Sequence, residues 1–77
     1  MNTAYVLISC EVGAEKPILA KLKSLESVKE ISDLFGSYDI IVKLEAASEE
    51  ELNDIVVSKI RNLKKIRTTL TLIVKEI

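Results

Sequence analysis

The sequence predicts an α+β domain of ferredoxin-like βαββαβ topology: a dimeric type of α/β sandwich, with an antiparallel sheet and both helices on one face. Three observations predict it. Four short segments alternate apolar and polar residues with the period of two that marks half-buried strands. Two others repeat apolar residues at the helical period. The six follow the order strand, helix, strand, strand, helix, strand, in which right-handed crossovers place both helices on the same side of the sheet.

The first strand is read over residues 5–12, with Val6, Ile8, Cys10 and Val12 toward the core and Tyr5, Leu7, Ser9 and Glu11 away from it. Gly13 ends this strand. Pro17 suits the first turn of a helix, where its missing N–H costs nothing. Ile18, Leu22 and Leu25 recur at helical spacing, so the helix is expected to end near Glu26 and Ser27. Residues 28–35 read as a shorter, more polar strand, Gly36-Ser37 as a tight turn, and residues 38–45 as the next strand. In that strand Ile40, Val42 and Leu44 share one face, and Asp39, Ile41, Lys43 and Glu45 the other. The two strands form an antiparallel hairpin.

Ser48-Glu49-Glu50-Glu51 is a capping box whose glutamates also suit the positive end of a helix. Leu52, Ile55, Val56, Ile60 and Leu63 follow as the apolar stripe of the second helix. Residues 66–74 read as the last strand, with Leu70, Leu72 and Val74 on one face and Thr69, Thr71 and Ile73 on the other.

At 77 residues, 48% hydrophobic and 30% charged, the chain is one globular domain rather than a disordered segment. A domain this short buries only about 60% of the surface that its unfolded chain exposes. Disulfides, metals or self-association usually make up the deficit. A single cysteine, Cys10, excludes an internal disulfide, and the lack of histidine leaves few metal ligands. Neither metal nor cofactor is expected, and self-association is.

Eleven basic and twelve acidic residues give a net charge of −1, against the basic excess of domains that grip nucleic acid by its phosphates. The local exception is residues 59–67, where Lys59, Arg61, Lys64, Lys65 and Arg67 occur with no acid among them. This run reads either as an anion-binding patch or as a solvated helix end whose cations suit the C-terminal dipole. No apolar run approaches the ~18 residues of a membrane span. The N-terminus also lacks the basic region of a signal peptide, so a cytoplasmic location is expected.

With both helices on one side, the other sheet face has no cover from its own chain. The assigned faces place Tyr5, Leu7, Ile41 and Ile73 there, among Ser9, Lys43, Thr69 and Thr71. So many large apolar groups on one open face predict a two-fold dimer packed sheet to sheet.

Catalytic motifs are missing. There is no Cys-x-x-Cys pair, no glycine-rich phosphate loop and no Ser/His/Asp set. Neutral-pH base chemistry would fall to a perturbed carboxylate, lysine or thiol. Glu49, Glu50 and Glu51 are accounted for by capping, and Cys10 faces the core as an inert thiol. The chain is not expected to be an enzyme. Three aromatic residues, only one of them on the first strand, are too few for the base-stacking sheet of an RNA-binding domain.

The run Leu34-Phe35-Gly36-Ser37-Tyr38-Asp39-Ile40-Ile41-Val42-Lys43 resembles the Gly-x-Tyr-Asp hairpin of a known domain. This is the regulation-of-amino-acid-metabolism (RAM) domain at the C-terminus of Lrp/AsnC-type transcriptional regulators. The opening Ala4-Tyr5-Val6-Leu7-Ile8, Val28 at the second strand, and Thr68-Thr69-Leu70-Thr71 followed by Leu72-Ile73-Val74 agree with it. The similarity covers essentially all 77 residues, so no helix-turn-helix half is expected. It is therefore to a stand-alone effector domain that does not bind DNA directly.

The resemblance implies a homo-oligomer: a dimer through the sheets, with dimers assembled into rings, commonly octamers. It implies an amino acid bound between dimers; full-length Lrp/AsnC-type regulators are a further candidate partner. Carried over by position, the effector site uses Gly36, Tyr38, Asp39, Thr69 and Thr71. Asp39 would pair with the α-ammonium, while backbone N–H groups near Gly36 and the threonine hydroxyls would take the carboxylate. Gly36 also suits a plain hairpin, and threonines suit any strand. Three functions stand open: an amino-acid-sensing module, a ligand-free domain forming mixed oligomers with full-length regulators, and an enzyme using Asp39 or Tyr38 as acid or base.

Overall fold

In the computed structural model, which describes residues 1–75, the small and branched side chains of Ala4, Val6, Ile8 and Cys10 alternate inward along β1 (Asn2–Cys10). This strand starts earlier than expected and ends two residues sooner. Its pairing shifts between Ser9 and Cys10. The chain then turns through Gly13, whose φ of 85° lies in the left-handed region open to glycine. The Ala14 N–H donates to the Glu11 carbonyl at 3.0 Å across this turn. Val12, expected in the core, is consequently 96% exposed.

Helix α1 (Glu15–Lys23) buries Ile18 and Leu22. It stops short of the expected Glu26–Ser27, where the Ser24 hydroxyl donates to the Lys21 carbonyl at 2.6 Å, a local bond of the kind that competes with helix continuation. Leu25 still packs on the core from the turn that follows.

Strands β2 (Val28–Asp33) and β3 (Ile40–Ala46) pair antiparallel as expected. Their connection is a six-residue loop over 34–39 rather than a two-residue turn. Tyr38 and Asp39 thus belong to the loop, and Phe35 stands in solvent. The Leu34 N–H donates to the Asp39 carbonyl at 2.8 Å and closes the base of the loop. Strand β2 is bulged between Val28 and Glu30 and offers Val28 and Ile31 to the core, which is why its sequence looks polar.

Helix α2 (Glu49–Ile55) is capped by the Ser48 hydroxyl, which accepts the Glu51 N–H at 3.1 Å. The Glu51 carboxylate reaches back to the Ala47 N–H at 3.2 Å, one residue before the reciprocal bond of a standard capping box. The helix then widens into a π-helical turn over Val56–Ile60, closed by Arg61 N–H to the Val56 carbonyl at 2.9 Å. A four-residue spacing drifts around a 3.6-residue helix, and the wider turn offsets that drift. Leu52, Val56 and Ile60 are all fully or almost fully buried as a result.

Strand β4 (Ile66–Ile73) completes an antiparallel sheet of order β2-β3-β1-β4, the ferredoxin-like arrangement. Its faces are the reverse of those expected. Cross-strand partners share a face: Ile73 lies opposite Ala4, Thr71 opposite Val6 and Thr69 opposite Ile8, so these three point toward the helices. Leu72 lies opposite Tyr5 and Leu70 opposite Leu7, on the open side. Because side chains alternate with period two, one residue of register exchanges every side chain between faces. Leu/Leu/Val against Thr/Thr/Ile is too weak a contrast to choose that register. The Lys65 carbonyl, accepting Glu11 N–H at 2.9 Å, and the irregularity at Ser9/Cys10 lie where the strand enters the sheet.

The core lies wholly between the helices and the inner sheet face, with Ile8, Leu22, Ile40, Leu44, Leu52 and Ile60 its largest fully buried side chains. The molecule is 17 Å across its thinnest axis, room for one sheet and one helix layer only. No helix among the described residues is long and apolar enough to cross a membrane.

Candidate functional site

The uncovered face of the sheet gathers apolar side chains on three strands. Leu7 at its centre lies between Ile41 on β3 and Leu70 on β4, and Tyr5 lies between Lys43 and Leu72. Beyond Leu72 the Val74 N–H donates to the Thr3 carbonyl at 2.9 Å and extends the row. Leu70, Leu72 and Val74 remain 42%, 49% and 48% exposed. Toward β2 the face turns polar, where Lys43 pairs with Glu30 at 3.5 Å and with Glu45 at 3.9 Å. Surface pairs of this kind, here with Lys43 and Glu45 half-buried, stabilise by about 0–1 kcal/mol. A contiguous apolar patch with a charged margin is the pattern of an interaction surface.

Of the four interface residues expected from sequence, Tyr5, Leu7 and Ile41 occupy this face. Ile73 does not: it packs on the helix-side core. Leu70 and Leu72 take its place; apolarity alone points them inward. The signal that finds them is pairing, which aligns them with Tyr5 and Leu7.

The hairpin loop is anchored through Asp39. Its N–H donates to the Ile8 carbonyl at 2.9 Å, and its Oδ2 accepts the Cys10 N–H at 2.8 Å. The carboxylate stands in for a ladder carbonyl where β3 has not yet begun. Gly36, at φ 124°, has open space where a Cβ would be, so its backbone angle rather than crowding favours glycine.

Burial pushes the Cys10 thiol above its ordinary value of 9.0; the charges of Asp39 and Glu15 and a hydrogen bond to Asp39 push the same way, and Arg67 opposes them. A folded-state value raised above the unfolded one contributes stability below pH 9.0 and loses it as pH rises through the folded value. Between pH 8 and 10 the wild-type protein should therefore lose more denaturant stability than Cys10→Ala. Parallel pH profiles for the two proteins would show Cys10 to be uninvolved.

The five effector residues carried over by resemblance do not converge within one chain. Gly36, Tyr38 and Asp39 share the loop. Thr69 lies across β1 from the start of β3, opposite Ile8, which itself faces Ile40; two strand spacings put it roughly 10 Å from Ile40. Thr71 is two residues further from the loop, with its hydroxyl oxygen buried and without a hydrogen-bond partner. Both threonines point toward the helix layer. Among the described residues no three Cys, Asp or Glu side chains come together to hold a metal.

Residues 3–77 match the family described as the Lrp/AsnC ligand binding domain. Homocitrate synthase of Saccharolobus islandicus is 36% identical over 72 residues, which are 92% of this chain but 15% of the enzyme. A helix-turn-helix-type transcriptional regulator of Pyrococcus furiosus is 31% identical over 75 residues, 94% of this chain and 50% of the regulator. The chain thus spans half or less of these two relatives. Among solved structures, FFRP-DM1 superposes with a TM-score of 0.93 at 35% identity, covering 97% of this chain and 100% of its own. Escherichia coli AsnC superposes at 0.87 with 32% identity, over 97% of this chain and 51% of its own. A transcriptional regulator of Neisseria meningitidis in complex with L-Met shares the fold at 0.88 and 13% identity, over 97% of this chain and 50% of its own.

Proposed function

The chain belongs to the Lrp/AsnC ligand-binding domain family, and on that premise we propose that it is an amino-acid-sensing module whose output is its own state of assembly. Its full-length relatives of that family are transcriptional regulators, and the similarity to homocitrate synthase is confined to a small part of that enzyme. The domain is therefore regulatory rather than catalytic.

The observation that carries the reading is the open sheet face. Two copies packed face to face cover Tyr5, Leu7, Ile41, Leu70 and Leu72 and supply the burial that a two-layer domain lacks. The amino acid binds at the loop over 34–39, in a site completed by another copy. Three features support that placement. The loop is pinned by Asp39, space is open above Gly36, and the effector residues do not meet within one chain. In the ring expected from the resemblance, dimers would contribute loops to one another.

The test is a panel of the twenty amino acids, read by thermal unfolding and by sizing. One or a few should raise the melting temperature by roughly 10 °C or more at a hundredfold excess over their Kd. Asp39→Asn retains an acceptor for the Cys10 N–H but removes the charge that would meet an α-ammonium. It should keep the fold and lose most of the response.

One observation favours the alternative of a ligand-free domain that joins full-length regulators in mixed oligomers: the Asp39 carboxylate already has a structural partner. Mixed oligomers that form on co-expression and ignore all twenty amino acids would establish that alternative instead.

A further inference from the structure

One cleft shares no lining residue with the open face or the hairpin loop. It occupies about 590 Å³ between the start of α1 and the segment that follows the π-helical turn, within the size range of small-molecule sites. Pro17, Ile18 and Leu63 make its apolar wall, and Ile18 and Leu63 continue into the core. Lys21, Lys64 and Lys65 stand around it.

Among the described residues, no acidic one lines the cleft. None of its three lysines takes part in the described ion pairs, which both belong to Lys43. Glu11 and Glu15 are neighbours in sequence but not among the lining residues. Two backbone features accompany the cations. Lys65, next to Lys64 at the turn into β4, holds a left-handed φ of 69°, and Gly13 on the same cleft presents no side chain. At the mouth, Ala14 caps α1 without a side-chain acceptor for its first N–H groups, which leaves a further positive end.

The arrangement gives two of the five cations in the basic run over 59–67 a place in the fold, while Lys59, Arg61 and Arg67 do not line the cleft. Lys64 and Lys65 join Lys21, from 43 residues earlier in the chain, around an apolar floor. Free helix-end cations would instead be dispersed in water. We propose that this cleft is a second ligand site, selective for a small organic anion with an apolar body, a carboxylate on an aliphatic chain being the simplest form. The apolar part lies against Ile18 and Leu63, and the carboxylate lies among the three ammonium groups. A single lysine would contribute little in water, but three around one apolar wall, with no acid of the described residues lining it, favour an anion over a cation of the same shape.

Octanoate and octylammonium are the matched probes, since they share a body and differ in charge. They should be titrated into the ¹⁵N-labelled protein while amide resonances are followed. Octanoate should shift Gly13, Ala14, Leu63, Lys64 and Lys65 saturably, and octylammonium should leave them unmoved. The Lys21→Gln, Lys64→Gln double variant should weaken octanoate at least tenfold with an unchanged melting temperature. Lys65→Gly removes a third cation while relieving the left-handed angle, so it should weaken binding in a protein at least as stable. Equal response to both probes, octanoate shifts centred on Leu7 and Leu70, or no saturable shift at all would overturn the proposal. The amino-acid panel reads a different region, so either reading can fail without the other.

Discussion

Leu7→Glu should convert the protein into a folded monomer at micromolar concentration. Leu7 sits at the centre of the open face, between Ile41 and Leu70, so in a face-to-face dimer it is flanked by apolar groups from both copies. An uncompensated charge buried there costs on the order of 3–5 kcal/mol, and the two-fold axis places a second one nearby. The dimer dissociation constant should rise by at least two orders of magnitude. Leu7 lies outside the helix-side core, so far-UV circular dichroism should keep its native form. Sedimentation equilibrium checks the mass, with Lys29→Glu on the exposed edge strand as the control that leaves assembly intact. A Leu7→Glu protein that assembles as tightly as wild type would place the interface elsewhere.

Ile8→Ala should act through the opposite face of the same strand. Ile8 is fully buried on the inner strand β1, between Ile40 and Thr69. Truncating a buried isoleucine to alanine costs about 2–5 kcal/mol. In a domain of this size each kcal/mol shifts the melting temperature by roughly 4–8 °C, so a fall of about 8 °C or more is expected. Val12→Ala is the paired comparison. The alternation of the sequence groups Val12 with Ile8, yet Val12 is 96% exposed, and its truncation should change stability by less than about 0.5 kcal/mol. Equal losses at the two positions would contradict the end of β1 at Cys10.

These contrasts mark where sequence reading succeeds and where it stops. The element order, the inward sets Val6/Ile8/Cys10 and Ile40/Val42/Leu44, the Ser48 cap and the α2 stripe were all legible, because each rests on periodicity or on a local bond. Element ends were less so. Val12 continues the alternation perfectly and fails because Gly13 turns the chain, a backbone event that periodicity does not encode. The length of the hairpin loop is hidden for a related reason: Gly36-Ser37 is a turn signal, but the Asp39 carboxylate accepts the Cys10 N–H and Asp39 stays in the loop.

The facing of β4 was the least legible feature. Leu70 and Leu72 read as core under the usual rule that apolar residues point inward. That rule assumes one buried face, and this sheet presents apolar residues on both. The reversal strengthens the interface reading, since two leucines replace Ile73 on the open side. The cleft beside α1 was half legible: its cations were visible as a run, but Lys21 joins them only through tertiary packing.

The claim that a second copy covers the open sheet face can be tested directly in the wild-type protein with a soluble paramagnetic agent and methyl-resolved spectra. The methyl signals of Leu7, Leu70 and Leu72 should be shielded to the level of the buried Leu44, while the exposed Val12 and Val57 are attenuated. Strong attenuation of Leu70 and Leu72, at the level of Val12, would contradict it.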